Sequence, residues 1–296
     1  MSVTRRGFLQ FSATALGLSV AELGLLEEAL ANPTGPTVVW LQGAACTGCS
    51  VSFLNRISSS APKSAADALI NYVNLVYHPN LMALAGESAV AYAESVTASK
   101  PYLLVVEGGV PTAFGGNTCW AWDYQGQQVT FQQAVTGLAT GAAGIVAAGT
   151  CACWGGIPAS GPNPTAVKGV QAATGRPTIN VAGCPTHPDW IAWVLVQLLL
   201  GRNVPLDASG RPRALFGTVT VHDRCPRRER DEAGRFGLDG YCLQELGCMG
   251  PRTVARCPND LWNGKANWCI GANAPCLGCT ESSFPTTPLL AGGGDD

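Results

Sequence analysis

Charge is what this sequence has least of. Only 13% of its 296 residues are Asp, Glu, Lys or Arg, about half the ~25% of an ordinary soluble domain. The formal net charge is −2, which argues against a dedicated nucleic-acid binder, because such proteins present a basic face. Long apolar runs are missing too. Beyond the N-terminus the longest, Ile191 to Leu200, is broken by Gln197 and is too short to cross a bilayer, so no transmembrane segment is expected in the mature chain. Disulfide density is also low: 13 cysteines fall below the ~8–10% of a disulfide scaffold, and an odd number cannot pair completely. That count is still high for an enzyme-sized chain, so something other than disulfides is expected to use the thiols. Turn formers are plentiful, with Gly 36 and Pro 20, and the apolar fraction of 47% is normal. Together they predict a loop-rich but folded protein.

The N-terminus reads as an address. Arg5 and Arg6 precede a weakly apolar stretch to Leu26, and Ala29-Leu30-Ala31 puts small residues where a cleavage site needs them. Gln10, Ser12, Thr14, Ser19 and Glu22 interrupt the stretch and make it a poor permanent span. Residues 1–31 are therefore expected to be a twin-arginine export signal. That route carries an already folded protein, often with its cofactor, and predicts a periplasmic chain attached to a membrane, if at all, through a partner.

From Val38 to Gly201 strand-like and helix-like segments alternate. Strands are expected at Val38–Leu41, Tyr72–Tyr77, Tyr102–Val106, Gly144–Ala148 and Thr178–Val181. Helices are expected from Ser50, over Gly86–Ser99 and Thr130–Thr140, and from Pro188 to Leu200. The alternation predicts an α/β fold with a doubly wound parallel sheet. After Gly201 the pattern fades. Asn203–Pro212 reads as a linker or hairpin, and residues 213–296 hold seven cysteines with little periodicity, as in small regions that need staples, metals or a partner. The boundaries expected are 1–31 for the signal, 32–205 for the sheet domain and 206–296 for a small loop-rich domain.

The cysteines fall into sets. Cys46-Thr47-Gly48-Cys49 follows the first predicted strand, Cys151 the fourth and Cys184 the fifth. Ligands bind at the carboxyl ends of strands in an open parallel sheet, so these four thiols can make one site. In the second half His222 and Cys225 are joined by Cys242 and Cys248, and then come Cys257, Cys269, Cys276 and Cys279. Zinc and iron–sulfur clusters both favour C-x-x-C pairs. Eleven cysteines and a histidine in three fours is a far more specific pattern than one pair, but zinc or disulfides in an exported binding module remain an alternative.

Several long stretches carry a resemblance. They are Trp40–Ser50, Gly149–Pro158 (GTCACWGGIP), Gly183–Trp190 (GCPTHPDW), His222–Pro226, Gly240–Pro251 (GYCLQELGCMGP) and Asn267–Phe284 (NWCIGANAPCLGCTESSF). In this order they resemble the small, electron-transferring subunit of nickel–iron hydrogenases. The resemblance implies a flavodoxin-like first domain and a smaller cluster-binding domain. It assigns a proximal 4Fe–4S cluster to Cys46, Cys49, Cys151 and Cys184, and a distal one to His222, Cys225, Cys242 and Cys248. The medial cluster would use Cys257, Cys276 and Cys279. It also implies a large-subunit partner holding the nickel–iron centre, and an external redox carrier such as a multihaem cytochrome c. A related quinone-reductase or deazaflavin-reducing subunit shares the proximal fold, but the export signal and the complete His/Cys set count against it.

Cys269 departs from many members of that family, which have proline there and a 3Fe–4S medial cluster. A fourth thiolate resembles the nickel–iron–selenium branch and predicts a medial 4Fe–4S cluster of lower potential. The extra proximal cysteines of the oxygen-tolerant branch match Gly48 and Gly156 here, so that feature is lacking. Cys119 and Cys153 are spare and are read as small buried thiols. His187 is expected to hydrogen-bond near a ligand, and His78 to be structural. Glu107 is read as a proton or hydrogen-bonding group near the partner interface, or as a cap. The charged run Arg224–Arg235 is a solvated face or a docking site for a redox partner. Burial against a large subunit would also account for the scarcity of charge.

Overall fold

The computed structural model describes residues 37–59 and 62–285. The export segment expected over 1–31 lies outside the described residues. The strands in chain order are β1 (Thr37–Gln42), β2 (Asn74–Tyr77), β3 (Tyr102–Glu107), β4 (Val110–Pro111), β5 (Trp120–Tyr124), β6 (Gln127–Thr130), β7 (Gly144–Ala148), β8 (Val167–Lys168) and β9 (Ile179–Val181). Five of them form one parallel sheet in the order β2-β1-β3-β7-β9. Among the sheet's own strands this is the 2-1-3-4-5 order of the flavodoxin-like doubly wound fold, as expected.

The reason lies in the side chains. Val39, Leu104, Val105, Val106, Val146 and Ala147 are completely buried, so both faces of the central strands are apolar and must be covered by helices. Helices Gly48–Leu54, Thr150–Trp154 and Pro188–Leu199 begin just past β1, β7 and β9. Thr130 caps the helix Phe131–Gly141 in a reciprocal capping box with Gln133. The predicted strands and helices are present within a few residues. Several short elements were not anticipated, and two are the most substantial. One is the helix Ala65–Asn71, whose cap Ser64 accepts from the Asp67 amide. The other is the β5/β6 hairpin, which turns at Gln125 and Gly126 with φ of 51° and 73°, both left-handed as a type I′ turn requires.

Beyond Gly201 regular structure is sparse. Leu206 bridges to Pro212 and the Asp207 amide donates to the Arg211 carbonyl at 2.8 Å, so Asn203–Pro212 is a hairpin. The remaining helices there are short turns such as Arg213–Phe216 and Cys257–Asp260. This region packs on the sheet half through aromatic rings. Trp190 meets Phe216 edge-on at 5.1 Å, and His187 lies 4.5 Å from Trp262.

Candidate metal centres

The first group of thiols sits at the carboxyl ends of the strands. Thr47 takes a left-handed φ of 65° and starts the helix that carries Cys49. Glu107, at the end of β3, anchors that helix. Its carboxylate accepts from the amides of Cys49 (2.9 Å) and Ser50 (3.2 Å), from Trp40 Nε1 (3.2 Å), Gln42 Nε2 (3.0 Å) and Ser50 Oγ. Ser50 Oγ in turn meets His78 Nε2 at 3.1 Å, while His78 Nδ1 accepts from the Asn80 amide. The proton therefore lies on Nε2. Burial lowers the His78 pKa to about 3, so this histidine is neutral and structural. Of the roles expected for Glu107, the structure shows the hydrogen-bonding and capping one.

The four thiols of this group lie within electrostatic reach of one another. Burial pushes the Cys49 thiol well above its ordinary value, and the negative charge of Glu107, Cys151 and Cys184 raises it further. Cys151 is raised to about 11 by burial, then by Cys184. Cys184 is raised by burial and by Cys46. A positive centre would draw off these protons. Backbone amides already face the sulfurs, Thr186 toward Cys49 and Ile157 toward Cys151. Gly149, with φ of 87°, leaves room for the set: a Cβ there would stand 2.4 Å from the Cys49 sulfur. At Gly156 a Cβ would stand 2.9 Å from Cys151 backbone and sulfur, so this backbone could not take the extra cysteine of the oxygen-tolerant branch without shifting.

His222, Cys225, Cys242 and Cys248 also come together. The Cys225 amide donates to the His222 carbonyl at 3.0 Å, and the His222 amide donates to the Gly250 carbonyl at 3.1 Å. A Cβ at Gly250 would lie 3.4 Å from the Cys248 sulfur and 3.6 Å from His222 Cβ. The Cys225 thiol is raised by burial and then, against an amide from Arg227, by Cys248 and Cys242.

In the third group Cys257 is raised well above its usual value by burial, then by Cys279, Cys276 and Cys269. Cys269 thus stands with the other three. Burial pushes Cys279 up to about 12. The three groups lie in a row, because the third touches both of the others. The Cys276 amide donates to the Cys248 sulfur at 3.3 Å, and the Cys184 amide faces the Cys279 sulfur.

The donor sets fit iron–sulfur clusters. Four cysteines, or three with a histidine, ringed by N–H donors to sulfur, are the ligand and outer-shell pattern such clusters use. A zinc ion needs tetrahedral closure at one point, and among the described residues no three His, Cys, Asp or Glu side chains lie close enough to hold one ion. All 13 cysteines are free thiols.

Residues outside the sets are placed plainly. Cys153 is buried and its thiol donates to the Ala147 carbonyl at 3.5 Å; Cys119 is half-buried, and burial raises its thiol. His187 does hydrogen-bond, but not to a cysteine: Nε2 meets the Leu261 carbonyl at 2.5 Å and Nδ1 accepts from the Asp189 amide, so it clamps one half of the chain to the other. In the Arg224–Arg235 run, Arg224 bonds the Ala255 carbonyl and Arg227 bonds Asn273 and Asp239. Part of that run therefore stitches loops instead of facing solvent. Sequence reasoning missed Thr150 and Arg211. Arg211 is 6% exposed, pairs with Asp207 at 2.8 Å and Glu281 at 3.0 Å, and donates to the Thr280 carbonyl at 2.9 Å.

Known proteins share this organisation. Residues 46–198 match the family model of the NADH ubiquinone oxidoreductase 20 kDa subunit, and residues 217–290 match that of the carboxyl-terminal part of the NiFe/NiFeSe hydrogenase small subunit. The chain is 39% identical to the periplasmic NiFe hydrogenase small subunit of Solidesulfovibrio fructosivorans, over 95% of this chain and 90% of that one. It is 35% identical to the periplasmic NiFeSe hydrogenase small subunit of Desulfomicrobium baculatum, over 96% and 97%. The solved NiFeSe hydrogenase of Desulfovibrio vulgaris Hildenborough superposes with a TM-score of 0.81 at 35% identity, covering 88% of this chain and 98% of that one. With both family models matched in order and identity sustained along nearly the whole length, this chain belongs to the nickel–iron hydrogenase small-subunit family.

Proposed function

We propose that this chain is the electron-relay subunit of an exported hydrogenase, carrying electrons between a nickel–iron site in a large subunit and an external carrier such as a multihaem cytochrome c. The observation that carries this reading is the row of three thiol groups, each adjacent pair meeting at a backbone amide against a sulfur. On this reading Cys46, Cys49, Cys151 and Cys184 hold the proximal 4Fe–4S cluster. Cys257, Cys269, Cys276 and Cys279 hold a medial 4Fe–4S cluster, and His222, Cys225, Cys242 and Cys248 a distal one. Bound clusters supply one-electron chemistry whose potential follows charge and hydrogen bonds to sulfur.

The chain's own residues do the rest. Glu107 fixes the approach of Cys49, amides stabilise the sulfurs, and an imidazole at His222 in place of a thiolate gives the distal site one fewer negative ligand. Cys46 is exposed, and Val51, Phe114 and Ile157 are exposed at this end of the sheet; an apolar, charge-poor face of this kind suits a large subunit. Residues 1–31 serve export by the twin-arginine route, 32–205 form the proximal-cluster domain and 206–296 the medial and distal one.

The test is purification with native partners, counting iron, sulfide, nickel and selenium and assaying hydrogen uptake. A brown complex with nickel in a second polypeptide and hydrogen-dependent reduction of an acceptor is expected. A colourless chain with stoichiometric zinc, or the absence of a nickel-bearing partner, overturns the reading. Cys269→Pro should add an intense 3Fe–4S EPR signal that the oxidised wild type lacks; the same signal in wild type would reject the four-thiolate medial site.

A further inference from the structure

One junction in the row of thiols turns on a side chain that ligates nothing. Thr150 is 1% exposed. Its hydroxyl accepts from the Gly183 amide at 2.9 Å and donates to the Cys279 carbonyl, while its own amide donates to the Gly183 carbonyl at 2.9 Å. The direction is forced, because an amide nitrogen can only donate and a carbonyl can only accept. Thr150 precedes Cys151, Gly183 precedes Cys184, and Cys279 closes the third group. A single hydroxyl thus ties together three loops that carry thiols of two groups.

The other junction is built differently. There the Cys276 amide meets the Cys248 sulfur at 3.3 Å and the Met249 amide donates to the Cys276 carbonyl at 2.7 Å. A threonine stands here as well: the Thr253 hydroxyl donates to the Met249 carbonyl at 2.6 Å and accepts from the Cys276 thiol at 3.6 Å. The first junction is set apart by one hydroxyl that joins the loops of Cys151, Cys184 and Cys279.

We propose that Thr150 is a positioning residue for electron transfer, whose hydroxyl holds the Cys184 loop against the Cys279 loop and so sets the gap between the first and third cluster sites. This rests on the relay reading above. The step is one electron leaving one cluster and arriving at the other, with no covalent bond made or broken. Transfer across such a gap falls steeply with distance. Loosening the bridge therefore slows it without removing a ligand. The Cys184 amide that faces the Cys279 sulfur lies on the residue after Gly183, so the same bridge also aims that amide.

The experiment uses the assembled complex with its clusters. Thr150→Val removes both hydroxyl bonds at similar volume, and Thr150→Ser keeps them. Iron and sulfide content is measured beside two other readouts: the magnetic interaction between the first and third clusters in EPR, and the rate at which the third cluster is reduced after rapid electron injection. The valine variant should keep its iron and sulfide, show a weakened interaction and transfer several-fold more slowly, while serine restores both. Wild-type interaction and rate in the valine variant overturn the proposal. So does serine behaving like valine, since the methyl packing would then be responsible. If the valine variant does not assemble, Thr150→Ala gives the same comparison, and wild-type behaviour there is equally fatal. A wild-type complex without iron–sulfur signals defeats the relay reading itself, a result distinct from clusters that are present but indifferent to Thr150.

Discussion

Residues 37–201 present Cys46, Cys49, Cys151 and Cys184 from the ends of strands whose side chains already fill a core of Val, Leu and Ile. Residues beyond Gly201 carry seven cysteines on loops whose buried apolar side chains are few, among them Leu215, Phe216, Val221, Leu243 and Ile270. The first region is a fold with a site attached to it. In the second, thiols and charged clamps such as Arg211 take the place of a core. A small region short of buried apolar area is stabilised by what its ligands bind.

That contrast can be broken most directly by removing the metal. Purified without iron, the chain should lose amide hydrogen-exchange protection across residues 217–285 and keep it in β1, β3 and β7; equal loss in both regions would refute the contrast. Next in size is Arg211→Met, which leaves Asp207 and Glu281 without their buried partner and should cost about 3 kcal/mol of stability, read by denaturant unfolding with the loss concentrated in the second region. A smaller effect belongs to the sheet half alone. His78 has a folded pKa of about 3 against 6.5 for the free side chain, so the unfolded state binds the extra proton. Stability from its neutral form is complete above pH 6.5 and is lost as pH falls toward 3. His78→Gln should therefore lack about 1 kcal/mol of the decline between pH 7 and about pH 5.5. The smallest is Cys153→Ala, expected to cost about 1 kcal/mol or less with iron content unchanged. Loss of iron would make Cys153 a ligand and blur the division into three groups.

The sheet was legible because parallel strands buried on both faces read as short runs of Val, Leu and Ile, and the thiols follow those runs directly. The hairpin at Gln125-Gly126 was not, since Trp120–Tyr124 is only partly buried and its turn lacks the Asn-Gly or Asp-Gly signal. The helix Ala65–Asn71 escaped for a similar reason: one Ser64 cap begins a seven-residue element too short to show a period. Among site residues, the C-x-x-C pairs and the spacing around His222 announced themselves. Cys257, Cys269, Cys276 and Cys279 read as a set of four, the resemblance implied a medial cluster for them, and geometry now brings Cys269 beside Cys257. Thr150, Arg211 and the clamp made by His187 left no trace in the sequence, because a polar bridge between distant loops has no periodicity and is defined only when those loops meet.

The carboxylate of Glu107 has a last consequence. Five donors surround it, and the ring of His78 backs the serine among them. Dipoles already oriented at a charged site have little left to rearrange when charge nearby changes. The environment behind Cys49 is therefore stiff: on the relay reading proposed above, an electron arriving or departing there would meet donors with little left to rearrange, and the reorganisation that slows electron transfer in water would be small.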